Sequence, residues 1–209
     1  MHYSRQDIYS LDKISRLNLI NSITGVKPAN LVGTISQSGQ ENLAIFSSVV
    51  HMGSNPALIG MMTRPVDEVP RDTYANIKET GFYTINHIHS SHVTNAHYTS
   101  VKFDSSVSEF EKCGFNVAYK NGFKAPFVSE CKCQFGLELK EMIPIKLNGT
   151  ILVIGEVQEI FVDESALATD LQIDLQELDT VGISGLNRYY SLKFEKELPY
   201  ARLNDLPKF

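Results

Sequence analysis

The chain has no tryptophan among its 209 residues and only three cysteines, Cys113, Cys131 and Cys133. The first absence excludes any site built on indole stacking. The second excludes a disulfide scaffold: an odd number of thiols without framework spacing fits a reducing compartment, so the cytoplasm is the expected location. No apolar run approaches the ~20 residues that a membrane-spanning helix needs. The opening segment MHYSRQDIYSLDKISR lacks the apolar centre of a secretory signal. An excess of positive charge is missing too. The formal net charge is −5, which argues against a general nucleic-acid or anionic-lipid surface and leaves room only for a local basic pocket. There is no tight glycine-rich phosphate loop, no internal repeat and no low-complexity linker.

What remains is the composition of a folded domain, with 43% hydrophobic and 21% charged residues. The length suits a single domain over 1–209 with a sizeable core, a short helical N-terminal segment and a C-terminal tail. Apolar Ile8, Leu11, Ile14 and Leu17 stand at helical spacing, so one or two short helices are expected over 7–20. ANLVGTIS (29–36) reads as a strand, QSGQE as a turn around Gly39, and NLAIFSSVV (42–50) as the returning strand of a hairpin. PALIGMMT (56–63) reads as a third strand buried on both faces. RDTYANIKETG (71–81) reads as a helix capped by Asp72 or Thr73 and closed by Gly81. FYTINHI (82–88) is a strand and VSEFEKCG a short helix. CQFGLELKEMIPI and TILVIGEVQEIFVD are two long strands joined at Asn148-Gly149. DLQELD is weakly helical, and VGISGLNRYYSLKF closes the pattern. Regular βαβ alternation is absent, so the expected fold is mainly β with peripheral helices, an antiparallel barrel that leaves few open strand edges.

Two stretches mix strand residues with polar groups. Ser47 and Ser48 are adjacent, so on a strand they face opposite sides. Thr63 and Arg64 end the third strand, and Arg71 and Thr73 begin the following helix. A helix start offers free N–H groups and the positive end of a dipole, so two arginines, hydroxyls and that helix start form a candidate phosphate site. Asp72 opposes an anion there unless it caps the helix. The plainer alternative is a strand with surface hydroxyls and exposed arginines.

The ordered series NLAIFSS, NPALIGMMTRP, RDTYANIKETGFYTIN, KAPFVSEC, LNGTILVIGEV and VGISGLNRYYSL, across roughly 24–192, resembles the flavin reductase-like proteins of the FMN-binding split-barrel superfamily. The resemblance implies a split β-barrel with FMN along the Asn-x-Ala-x-x-Ser strand. By position, Asn42, Ala44, Ile45 and Phe46 would line the isoalloxazine ring. Ser47 and Ser48 would bond the ribityl chain or phosphate, and Thr63, Arg64, Arg71 and Thr73 would hold the phosphate. It also implies a homodimer with FMN near the interface, reached by the AHYTSVKF segment through His97, Thr99, Ser100 and Lys102. Many relatives carry a histidine before the Gly-Glu-Val strand; this chain has Thr150.

Other constellations carry alternatives. His87, His89, His92 and His97 cluster within one short stretch; they could bind a divalent metal, lie at a subunit interface or pocket rim, or simply face solvent. Cys131 and Cys133 would share one face of a strand, without the common redox spacing. Gly182 and Gly185 mark a tight turn, and Tyr189 or Tyr190 could stack near a ring. The expected function is FMN-dependent oxidoreduction with NAD(P)H as donor and a partner oxygenase or small redox protein as acceptor. The alternative is a non-catalytic flavin-binding or electron-transfer module of the flavoredoxin kind. Hydride transfer to a flavin demands no acid, base or nucleophile from the protein.

Overall fold

The computed structural model describes residues 1–67, 69–203 and 206–207. It opens with two short helices, α1 (Arg5–Ser10) and α2 (Lys13–Ser22). Their starts are set by side chains. Ser4 and Asp7 form a capping box, and the Asp12 carboxylate accepts from the Ile14 and Ser15 amides. Neither helix buries a residue.

The sheet elements follow as β1 (Lys27–Pro28), β2 (Asn30–Ile35), β3 (Glu41–Phe46), β4 (Val49–Ser54) and β5 (Ala57–Thr63), then α3 (Asp72–Thr80) and β6 (Phe82–His87). Next come α4 (Val93–Tyr98), α5 (Glu109–Lys112), β7 (Val117–Ala118) and β8 (Phe127–Val128). Two long strands, β9 (Cys133–Ile145) and β10 (Thr150–Val162), precede the hairpin of β11 (Val181–Ser184) and β12 (Arg188–Ser191). Three expectations change. The strand expected over 42–50 stops at Phe46 and restarts at Val49, so Ser47 and Ser48 are a break rather than strand interior. The expected DLQELD helix is a turn: the Asp174 carboxylate captures the Gln176 and Glu177 amides, and Thr180 N–H returns to the Leu175 carbonyl. Neither Asp72 nor Thr73 caps α3. Arg71 is the N-cap residue and no side chain bonds the first-turn amides, while Gly81 closes the helix in the left-handed region at φ 78°.

The main sheet runs β3-β2-β6-β9-β10-β5-β4, every neighbouring pair antiparallel. Its first and last strands are joined only by Ser47 and Ser48. In a flat sheet of these seven strands the edges would stand about 29 Å apart. The three Cα steps from Phe46 to Val49 reach at most about 11 Å. The sheet must therefore curl until its edges approach, without a β3–β4 ladder to seal it. Register shifts in β9–β10 and at His51/Gly53 of β4–β5 supply the bending.

Alternation then separates two cores. Val32, Met61, Tyr83, Ile85, Leu137 and Val153 point into the barrel, which α3 plugs with Ile77. Leu31, Leu43, Ile88, Phe110 and Val181 point to an outer layer under α4, α5 and the β11–β12 hairpin. β5 is less buried than expected: Ile59, Met61 and Thr63 face inward, while Leu58 and Met62 on its outer face are only half-buried. Cys131 lies before β9 in the outer layer, and Cys133 belongs to a separate small cluster with Ala166 and Leu178. The two thiols thus do not share a face, and burial holds both above the usual thiol range.

Two positions inside the barrel are tested by substitution. A Cβ on Gly155 would sit 2.3 Å from the Tyr83 hydroxyl oxygen, and that hydroxyl is buried without a partner among the described residues. Gly155→Ala should destabilise by about 1–3 kcal/mol through overpacking. In the Tyr83→Phe background the loss should shrink, as read from a double-mutant cycle of urea melts; equal losses in both backgrounds would contradict the contact. The second position is His87, whose pKa is pushed down to about 4, first by burial and then by His89. Between that value and the ordinary 6.5 the unfolded chain binds a proton that the folded chain does not, so stability rises with pH across this window and falls on acidification. His87→Leu should flatten the dependence of Tm on pH between about 6.5 and 4, and an unchanged slope would remove His87 as its source.

Candidate functional site

β3 carries the residues expected along the ring. Asn42, Ala44 and Phe46 stand opposite Thr34, Val32 and Asn30 and share the barrel-side face, while Leu43 and Ile45 turn to the outer layer. Ile45 therefore offers a ligand in the barrel mouth its backbone and not its side chain. The Asn42 amide donates to Thr34 Oγ1 at 3.2 Å and to Thr73 Oγ1 at 3.1 Å, and Asn76 donates to the same Thr34 oxygen at 3.1 Å. This buried network ties the start of α3 to β2 and β3. Asn76 and Thr34 were not singled out from the sequence, although Asn76 stands three residues after Thr73, the spacing that puts both on one helix face. Glu109 was missed as well. Its buried carboxylate accepts the Leu43 N–H at 3.1 Å, and burial pushes its pKa up.

The Ser47–Ser48 break lies beside the end of β5, because Met62 N–H donates to the Ser48 carbonyl at 2.9 Å. Thr63 is 3% exposed and its hydroxyl has no partner among the described residues. Arg64 is exposed at the strand end. Seven residues on, the Arg71 carbonyl accepts the first helical bond of α3 from Ala75 N–H at 2.9 Å, and its Nε is buried with no partner among the described residues. A buried donor left unpaired costs about 1–3 kcal/mol, more when charged, so such atoms ask for a missing ligand. An anion with several acceptor oxygens suits a guanidinium, a hydroxyl and an uncapped helix start. Asp72 does not cap α3 and so leaves a carboxylate in the same first turn; two guanidinium groups against one carboxylate keep the corner net positive, and on that balance the residues present fit a phosphate.

The third expected group sits on α4 and the last hairpin. The Thr99 hydroxyl is buried and donates to the Ala96 carbonyl at 2.8 Å, and Ser100 donates to the His97 carbonyl at 2.7 Å. Lys102 is exposed. His97 Nδ1 and the Tyr189 hydroxyl are 3.0 Å apart with their rings edge to face, and burial pushes the Tyr189 pKa up to about 12. Tyr189 and Ile45 both pack on the outer core, which places this pair behind β3. Among the described residues no side-chain hydrogen bond joins the three groups to one another: Asn42 with Thr73, the Ser48–Thr63 corner, and His97 with Tyr189.

The histidines divide. His87 is half-buried on the barrel side, with its Nδ1 buried and unpartnered among the described residues, and His89 Nε2 accepts the Lys132 N–H at 3.0 Å. No group of three or more His, Cys, Asp or Glu able to hold a metal ion occurs among the described residues. Thr150, which stands where the family resemblance leads one to expect a histidine, donates its hydroxyl to Asn148 Oδ1 at 2.7 Å and so closes the β9–β10 turn. No helix among the described residues is long and apolar enough to cross a membrane.

Known proteins share this architecture. A protein of Shewanella frigidimarina NCIMB 400 with a split barrel domain, assigned to the flavin reductases, superposes with a TM-score of 0.93 at 46% identity, over 96% of this chain and 100% of its own. Component B of nitrilotriacetate monooxygenase from Bacillus cereus gives a TM-score of 0.83 at 20% identity, over 95% and 98% of the two chains. Flavoredoxin of Desulfovibrio vulgaris (Miyazaki F) gives 0.72 at 24% identity, over 87% and 93%. At these lower identities the likeness is one of fold. The family described as flavin reductase like domain matches residues 26–178, a span that runs from the start of the barrel to the last hairpin. The split sheet, its Ser47–Ser48 break and that match agree: this chain belongs to the flavin reductase-like domain family.

Proposed function

We propose that the chain is an FMN-dependent oxidoreductase, a flavin reductase that takes electrons from NADH or NADPH and passes them to a second acceptor. The observation that carries this reading is that Thr63 Oγ1 and Arg71 Nε, at the two ends of the β5–α3 connection, are both buried without a partner among the described residues. They stand at two of the positions that the family resemblance assigns to the flavin phosphate. Bound FMN would supply the redox chemistry, taking up an electron pair as hydride and releasing electrons to an acceptor.

The chain's own residues bind and orient. Arg71 and Arg64 supply positive charge for the phosphate, with the Thr63, Ser47 and Ser48 hydroxyls and the uncapped α3 amides as further donors. Thr73 acts indirectly, since Asn42 holds it against the sheet. Phe46 and Ala44 offer an apolar wall to the ring, and the β3 backbone offers polar groups to its edge. Ser100 and Lys102 are exposed and offer a rim that a second subunit would meet, while buried Thr99 and the core-packed Tyr189 support that rim from behind, consistent with a homodimer holding FMN near its interface. A partner oxygenase is a fitting acceptor, as the monooxygenase component sharing this fold illustrates; a small redox protein is another.

The non-catalytic alternative also has an observation in its favour. Thr150 is occupied in a turn where the family resemblance leads one to expect a histidine, and a flavoredoxin shares the fold. One experiment separates the readings. The purified protein, supplied with FMN, should be yellow and should bleach within seconds when NADH or NADPH is added anaerobically. A yellow protein that neither nucleotide bleaches supports the electron-transfer alternative, and a colourless protein that cannot be reconstituted overturns both.

Substitution tests the phosphate assignment. Losing a hydrogen bond to a charged group costs about 1.5–3 kcal/mol. Arg71→Ala should therefore weaken FMN binding about tenfold to a hundredfold. Arg64→Ala should weaken it less, because that side chain is exposed and screened. Fluorescence titration of FMN reads both, and unchanged affinity in Arg71→Ala would remove it from the site.

A further inference from the structure

Two apolar surfaces built on regular secondary structure have no cover among the described residues. The first is the N-terminal arm. α1 and α2 have six and ten residues and no buried residue. Helices this short are marginal in water unless an apolar face is packed. Yet Ile14 is 71% exposed, Ile20 42% and Ile23 67%, although the side-chain caps make both helices well defined. The second is the outer face of β4, β5 and β10. The register places Val50 opposite Gly60 and Leu58 opposite Glu156, with Met62 opposite Leu152 and Leu152 opposite Ile143. These outward residues belong to neither core of the barrel. Val50 is 54% exposed and Met52 45%, and the Met52 side chain lies across Gly60, filling the space that a side chain there would take. β4 is also an edge of the sheet, a position proteins usually protect.

We propose that the α1–α2 arm of one protomer docks on the outer β4–β5–β10 face of a second copy, reciprocally, so that the two arms clasp the dimer. This deepens the dimer reading above and rests on it. Two arguments choose a second copy as the occupant. The charges are complementary: the first 27 residues hold Arg5, Lys13, Arg16 and Lys27 against Asp7 and Asp12, while the whole chain stands at −5, and the face is rimmed by Glu138 and Glu156 around Lys140. Reciprocal exchange also closes under two-fold symmetry and leaves no unsatisfied copy of either surface. The docked face begins where the Ser48 carbonyl meets Met62, beside Thr63. The partner's arm would therefore roof the phosphate corner and exclude water from it without supplying a ligand of its own.

The test uses the full-length protein. Leu17→Asp combined with Ile20→Asp alters residues that pack in no core of the protomer, so its circular dichroism should match the parent. Its dimer dissociation constant, from sedimentation equilibrium, should rise at least about a hundredfold, and FMN should bind at least about tenfold more weakly. A variant that dimerises like a dimeric parent overturns the arm proposal and leaves the dimer reading standing. A parent that is monomeric at every concentration overturns both. Placement is read separately. Ile20→Cys and Met52→Cys chains, co-expressed, should join through a short bis-maleimide into a mixed dimer. A cross-link confined to two Met52→Cys chains would mean that β4 pairs with β4 and would overturn the clasp.

Discussion

The two-residue link between Phe46 and Val49 governs this molecule. It joins strands that stand at opposite ends of the sheet order, so the sheet can satisfy the chain only by curling on itself. Closure without a β3–β4 ladder leaves a seam, and at that seam the backbone polar groups of Ser47 and Ser48 are not all absorbed by sheet bonding. A site forms where the barrel fails to close. The long β9 and β10 strands accept the curvature through their register shifts, and Gly155 lets Tyr83 cross the interior at a distance no side chain would allow.

Thr34 is the anchor on the other side of the seam. Its single oxygen receives both Asn42 and Asn76, and Asn42 also reaches Thr73. Buried polar networks of this kind are worthwhile when every member is paired. Here the pairing fixes the angle at which α3 meets the barrel, and so the direction in which its uncapped amides point. The helix start is left without a side-chain cap, while its far end has a glycine closing it in the preferred conformation. That asymmetry leaves the first-turn amides of α3 as the donors available to the phosphate proposed above.

Much of the fold was legible because its signals are local. The two long strands over 133–145 and 150–162, the Asn148-Gly149 turn and the Gly81 closure all stand in the structure as read. The errors have one character. Ser47-Ser48 read as strand interior because apolar residues flank both sides, and only the sheet order shows why the chain must break there. DLQELD read as helix from propensity, while Asp174 found a nearer bonding pattern in a turn. Asp72 and Thr73 read as caps because both types commonly serve so, but Thr73 accepts from the Asn42 amide, 31 residues away along the chain, a contact that no spacing rule encodes. Asn30, Asn76 and Glu109 escaped notice because a buried polar residue is recognisable only once its surroundings are known.

The same limit explains why the residues expected at the site divide into three groups. Family resemblance assigns positions by order along the chain, whereas a ligand gathers them in space. Thr63 and Arg71 are joined by no hydrogen bond to each other, yet each holds a buried atom without a partner among the described residues. Folding has set the desolvation penalty of two donors against nothing inside the chain. That penalty is a standing free-energy difference between the free and the liganded protein, recovered when acceptor oxygens arrive. Any ligand that supplies them binds the folded state and not the unfolded one, so its affinity and the stability of the barrel are two readings of one quantity. The proposed clasp carries the same argument to the scale of the assembly: helices that bury no residue within the protomer would gain a packed face from a second copy.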